Sequence, residues 1–308
     1  MNLALITMKQ VIVLFILIFS GFIAVKFHLF KLEYKNAFSD LLMKLVVPCL
    51  IIDSYMMEFD PKILSDLIKT LIYSFSFLLL SCLIAFIICR KIKIRDKNII
   101  FFASAFSNCA YMGFPLIEAM YGREGLIYAS AFVTAFNILL WSLGYSVLSG
   151  NKDPKKQLKT IITQPAIISV FLGLIIYLAK LPIPDIISKP IGNIATLNTP
   201  LSMIITGMII ADTDIKKLFK NIYLFLIIVS RSLIIPAITF LVLILTKGHG
   251  VYAQIVFILA ACPTAAISSV FAVEFKYDED LAAVAVVITT FLSIILLPFW
   301  AFLLTLKV

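Results

Sequence analysis

Charge is what this sequence has least of. Only 14% of its 308 residues are Asp, Glu, Lys or Arg, roughly half the share of an ordinary soluble domain. Histidine occurs twice, as His28 and His249, both at the edges of apolar segments. No HExxH is present, and no apolar segment holds a close pair of acids, so the usual equipment of an intramembrane enzyme is missing. GxxxxGK[ST] is also absent, which excludes nucleotide hydrolysis by this chain as a power source. The five cysteines (Cys49, Cys82, Cys89, Cys109 and Cys262) lie inside apolar segments without a CxxC pair. An odd number so placed indicates neither a disulfide framework nor a metal site. Low polarity excludes a disordered chain, and scarce glycine excludes a collagen-like one.

What is present is apolar. Hydrophobic residues make up 62% of the chain and mean hydropathy is +1.08. No single core could hide this much Leu, Ile, Val and Phe, so most of it must face lipid. Windows of about 19 residues give ten spans: 8–26, 38–57, 64–89, 99–120, 125–148, 161–180, 189–211, 218–246, 251–273 and 281–305. The reading is an all-α polytopic membrane protein with the lipid bilayer as its main partner. The first span meets Lys26 without a small-residue cleavage site, so it is expected to stay attached.

The net charge of +9 does not indicate nucleic acid, because the basic residues sit in short loops and form no groove. Their distribution sets topology instead. The loops after odd-numbered spans hold sixteen basic residues, including Arg90, Lys91, Lys93, Arg95 and Lys97, then Lys152, Lys155, Lys156 and Lys159, then Lys216, Lys217 and Lys220. The opposite side holds seven, among them Lys62, Arg123, Lys180 and Lys189. Positive loops mark the cytoplasm, so both termini are expected outside the plasma membrane. Ten helices divide into residues 1–150, a short cytoplasmic linker 151–160, and 161–308. An odd number of helices per half turns the second half upside down, the arrangement of an inverted repeat.

Spans 4 and 9 carry the chemistry. Span 4 reads FFASAFSNCAYMGFPLIEAMYG and gathers Ser104, Ser107, Asn108, Tyr111, Gly113 and Pro115 at its centre. Span 9 places Pro263, Thr264, Ser268 and Ser269 in the corresponding stretch. Proline deletes a backbone donor and collides with the carbonyl four residues back, so both helices are expected to open at Pro115 and Pro263. Opened backbone inside a bilayer survives only where protein or a watery cavity satisfies it. Paired breaks in corresponding segments point to a transport site, and helix starts near mid-membrane favour an anion. Asn108, Thr264 and Ser268 would add donors. Plain helix kinks packed through small residues, with Asn108 as interhelical glue, are the competing reading.

Other polar residues within spans are few. Asn198 and Thr199 precede Pro200 in span 7, where they either line the cavity or pack helices. Arg231, in the middle of span 8, needs a partner: an acid such as Asp53 or Asp66, or a substrate carboxylate. Asp66 and Lys69 share one helical face, as a surface pair or a protonation switch. Glu118 and Glu274 end spans 4 and 9 and read as interfacial.

SNCAYMGFPLIEAMYG in span 4 resembles the N-x-x-x-x-G-x-P-L…(F/Y)-G signature of the auxin efflux carrier family. ACPTAAISSVFAVEFKYDEDLAA in span 9 resembles that family's A-x-P-x-A…A-x-x-(F/Y) stretch before the last helix. Without the long cytosolic loop of plant members, the chain looks like a bacterial-type member of the malate or malonate permease kind. The resemblance implies two inverted five-helix repeats, broken helices 4 and 9 crossing at the substrate site, and an elevator-like cycle. It places Asn108 and Pro115 at the span 4 crossing and Pro263 at the span 9 crossing. Where some plant members have an asparagine near the second crossing, this chain has Thr264, Ala265 and Ala266. The acid of the plant acid–lysine pair in span 3 is displaced by one position to Asp66, beside Lys69. A homodimer is the association that relatives suggest.

The expected function is therefore secondary transport of a small organic anion, a carboxylate above all. No cofactor is called for, and the coupling ion would be H+ or Na+. A passive channel for small solutes is the alternative, with an intramembrane enzyme a distant third.

Overall fold

The computed structural model describes residues 3–150, 153–213 and 221–307. Lys152, Lys216, Lys217 and Lys220, used above to orient the chain, lie outside the described residues. All regular structure among those described is helical. Helix fills most of each of the ten windows, and six helices or bent helix pairs are long and apolar enough to cross a membrane. Their outer faces are apolar too: Ile16, Phe19, Ile72, Phe86, Phe171, Phe225 and Ile295 are all exposed. Faces of this kind are stable against lipid and costly against water.

The chain begins with α1 (Leu3–Lys26), then α2 (Tyr34–Leu41) and α3 (Val47–Tyr55), which share one bent span. After α4 (Pro61–Cys89), the fourth window divides into α5 (Lys97–Ala105) and the start of α6 (Phe114–Leu139). Gly122, with φ of 62°, bends α6 and separates the fourth window from the fifth, a conformation glycine adopts without strain. Next come α7 (Tyr145–Ser149) and the short α8 (Pro154–Ile162), which gives the expected linker a helical turn of its own. The second half holds α9 (Pro165–Leu178), α10 (Asp185–Ala195), α11 (Asn198–Asp212), α12 (Ile222–Val229) and α13 (Ile235–Leu245). It closes with α14 (Val251–Ala261), α15 (Ile267–Glu274) and α16 (Glu279–Lys307).

Proline explains much of this segmentation. Three π-helical turns, Leu42–Val46, Cys109–Gly113 and Ser230–Ile234, each end two residues before a proline: Pro48, Pro115 and Pro236. The ring cannot sit over the carbonyl four residues back, so the preceding turn widens and its bonds slip by one residue. Pro200 acts similarly at the joint between α10 and α11, where residues 196 and 197 leave the regular ladder.

Packing follows small residues. α1 lies against α11 so closely that a Cβ on Gly207 would stand 2.0 Å from the Ile18 carbonyl oxygen. A Cβ on Gly21 would meet the Ile204 carbonyl oxygen at 2.3 Å. The two glycines thus let the helix backbones touch, as small residues do in membrane helix pairs. α3 packs on α9 and α10, while α4 packs on α6 and α14. These contacts carry α5, α6 and α14 to the middle of the molecule, with α15 packed on α5 and α16 at its edge.

Candidate functional site

The breaks of the fourth and ninth windows meet. α5 ends at Ala105, the chain is non-helical through residues 106–108, starting extended at Phe106, and helix resumes at Cys109. α14 ends at Ala261, and residues 262–266 are unwound before α15. The two open segments pair antiparallel, with Ser107 opposite Thr264. Asn108 N donates to the Pro263 carbonyl at 2.8 Å, and Ala265 N donates to the Phe106 carbonyl at 3.0 Å. Each break thereby supplies the hydrogen bonds that the other lost, which is what an opened backbone needs away from water. Thr264 locks the crossing further. Its hydroxyl donates to the Ala103 carbonyl at 3.0 Å, and its N–H donates to the Thr289 hydroxyl at 3.1 Å.

The opening of span 4 therefore falls before Asn108 and not at Pro115. Pro115 stands inside a helix that is continuous from Cys109, and the π turn Cys109–Gly113 ahead of it absorbs the ring. Gly113 serves contact: a Cβ there would stand 2.5 Å from Leu259 Cδ2 on α14. Tyr111 meets Ser39 near the start of the second window.

Around the crossing, several buried polar atoms have no hydrogen-bond partner among the described residues. They include Asn108 Nδ2, Ser104 Oγ, Ser268 Oγ and Thr290 Oγ1. Asn198, fully buried at the start of α11, has neither its Nδ2 nor its Oδ1 satisfied. Unpartnered buried donors are uncommon in folded proteins and call for an explanation. Beside the crossing, Phe102, Phe106, Phe136, Trp141 and Phe271 form an aromatic cluster, with Phe102 and Phe106 stacked at 4.6 Å between ring centroids and the other contacts edge to face.

Arg231 does not pair with Asp53 or Asp66. Its Nη1 donates to the carbonyls of Ala105 at 3.1 Å and Ser104 at 3.4 Å, and its Nη2 donates to the Ala260 carbonyl. Those carbonyls are the spent ends of α5 and α14. Asp53 instead meets Arg123 at 3.2 Å, and Asp66 meets Lys69 at 2.8 Å. The reason lies in distance along the fold: Asp53 and Asp66 sit where α3 ends and α4 begins, with the Arg231 π turn elsewhere.

A cavity of about 910 Å³ opens between α3, α10, the end of α9 and the Gly122 bend. Asp53, Glu118, Arg123, Asn193 and Thr196 line it. Glu118 is half-buried and accepts a hydrogen bond from Thr199 at 3.3 Å, joining the fourth window to the seventh. Of the residues singled out in the sequence, Asp53 and Glu118 line this cavity, and Thr199 reaches it through Glu118. Asn108, Pro263, Thr264 and Ser268 stand at the crossing, while Lys69 and Asp66 form a partly exposed pair at the start of α4.

Sequence reasoning overlooked Thr289, Thr290 and the pairing of Glu118 with Thr199. A period-3.6 reading makes the two threonines ordinary helix residues, and only contact with span 9 distinguishes them.

The family model described as membrane transport protein matches residues 6–159 and 151–301. An uncharacterized transporter of Methanocaldococcus jannaschii is 22% identical over 97% of this chain and 99% of its own length. An uncharacterized transporter of Methanothermobacter thermautotrophicus is 26% identical over 65% of each chain. With its apolar helices and paired helix breaks, the chain belongs to the membrane transport protein family, the auxin efflux carrier family whose signature spans 4 and 9 carry.

Proposed function

We propose that this membrane transport protein is a secondary transporter, a permease or efflux carrier, for small organic anions of the carboxylate class. The observation that carries the reading is the set of unpartnered buried donors at the crossing, with Asn108 Nδ2 foremost. An amide N–H left without an acceptor costs the empty protein about 1–3 kcal/mol, and a ligand oxygen would recover it. The starts of the Cys109–Gly113 turn and of α15 meet at the same crossing, and helix starts favour negative charge.

In this reading the two halves form inverted five-helix repeats and substrate moves by alternating access of elevator type. The 910 Å³ cavity on one side and the packed aromatic cluster of Phe102, Phe106, Phe271 and Trp141 on the other support a state open to one face. By the loop charges that face is extracytoplasmic, in a plasma membrane, with both termini outside. Asp66 with Lys69, and Asp53 with Arg123, are the candidates for coupling to H+ or Na+. Homodimer formation is consistent with the family.

Counterflow tests the reading. Purified protein in proteoliposomes is preloaded with unlabelled mono- and dicarboxylates, and entry of labelled malate is followed. Saturable exchange is expected for a carrier. Linear flux without counterflow would indicate a channel, and folded protein inert to every carboxylate would end the anion assignment.

A further inference from the structure

Arg231 is 1% exposed and is the bulkiest fully buried side chain among the described residues. Among the described residues no carboxylate lies within ion-pair distance of it. A buried guanidinium without compensation is prohibitively costly, so the compensation must come from elsewhere. It comes from two helix ends. The Ser104 and Ala105 carbonyls close α5, and the Ala260 carbonyl stands one residue before the end of α14. Each helix C-terminus carries about half a negative charge, so two of them together match one guanidinium.

We propose that Arg231 is the positioning residue of the crossing: it clamps the spent ends of both broken helices and cancels their negative poles. The clamp has two consequences. First, one side chain ties span 4 to span 9 from span 8, so the two breaks keep their register. Second, with the C-terminal poles neutralised, the helix starts at Cys109 and Ile267 dominate the field at the centre, which selects anionic cargo. This second consequence rests on the anion reading above; the first does not.

The local sequence explains why an arginine can reach. Arg231 lies in the widened turn Ser230–Ile234 that Pro236 imposes, and Trp300 Nε1 donates to the Ser232 carbonyl, which Pro236 leaves without its helical donor. A planar fork suits two separate carbonyl groups, whereas a lysine ammonium is a single point.

Two thiols report on the clamp. Cys109 follows the opening in span 4 and Cys262 begins the opening in span 9, and both are fully buried near Arg231. In a background with Cys49, Cys82 and Cys89 replaced by alanine, their reaction with N-ethylmaleimide reads the crossing whatever the substrate is. Arg231→Lys keeps the charge and loses the fork. Pro236→Ala keeps the arginine and lets the turn tighten, swinging the side chain away.

Both variants are expected to raise thiol reactivity by about tenfold or more. For transport, Arg231→Lys should lower the maximal rate with KM little changed. Arg231→Gln should also raise KM, by about tenfold for a dicarboxylate and less for a monocarboxylate. Thiols that stay protected in folded Arg231→Lys and Pro236→Ala protein would overturn the clamp. Should the arginine variants fail to fold, Pro236→Ala alone decides by the same reactivity. Equal KM changes for mono- and dicarboxylates in Arg231→Gln would overturn the charge role and leave the thiol result to judge the clamp. Failure of every carboxylate to exchange, with thiols exposed as expected, would overturn the anion assignment and its charge role and uphold the clamp.

Discussion

Asn108→Leu separates a substrate ligand from an interhelical strut by the sign of two measurements. The backbone of Asn108 is fully engaged: its N–H donates to the Pro263 carbonyl at 2.8 Å, and its carbonyl accepts from Met112 and Gly113 at 3.2 Å each. Its side chain is 4% exposed, with Nδ2 unpartnered. Leucine nearly preserves the volume and the backbone bonds while removing both polar atoms. The empty protein should then lose nothing and gain about 1 kcal/mol, because a desolvated donor has been deleted. The loaded protein should lose a charge-assisted hydrogen bond of about 1.5–3 kcal/mol, or about 10- to 100-fold in substrate affinity. Counterflow KM and the melting temperature of detergent-solubilised protein, with and without carboxylate, are the assays. The expected pattern is unchanged or raised stability, raised KM, and lost thermal protection by substrate. Stability reduced by more than about 2 kcal/mol, with KM unchanged, would refute the reasoning and make Asn108 a helix-packing residue.

Three further experiments test the frame around the site. Gly207→Ala puts a Cβ 2.0 Å from one backbone atom and 2.7 Å from another, where ordinary contact starts at 3.4 Å. α1 and α11 must part by more than an ångström, so a stability loss of about 1–3 kcal/mol is expected in thermal melts, and an unchanged melt would contradict the packing. Thr264→Val removes the hydroxyl that holds the Ala103 carbonyl and should lower stability by about 1–2 kcal/mol at near-constant volume, again read by melting. A double-mutant cycle on Asp53→Asn and Arg123→Gln should give a coupling of only about 0.2–1 kcal/mol, since the Arg123 side chain is 60% exposed; a coupling above 2 kcal/mol would mean the pair works desolvated.

The parts of this protein that follow from its sequence are those set by local physics. Continuous apolar runs make helices with lipid-facing flanks, because no other structure satisfies a backbone in hydrocarbon. Spans 4 and 9 were expected to open because prolines and small polar residues cluster at their centres, and both do. The exact opening in span 4 was not legible. Pro115 suggested itself, yet a widened turn accommodates its ring without breaking the helix, and the break lies at residues 106–108. The kink at Pro200 and the π turns before Pro48 and Pro236 follow the same chemistry.

Partner choice is what tertiary structure alone decided. Arg231 demanded a partner, and acids far along the chain were the natural candidates. Two helix ends took that place, because backbone carbonyls freed by the breaks carry the charge an acid would have brought. Asp53 of the second window took Arg123 from the loop between the fourth and fifth, and Glu118 took Thr199 across the fourth and seventh. Hydropathy is a property of each segment by itself, whereas the crossing of residues 106–108 with 262–266 is a property of two segments more than 150 positions apart. Which open backbone meets which depends on how α1, α3 and α4 pack, and no local pattern in the chain encodes that.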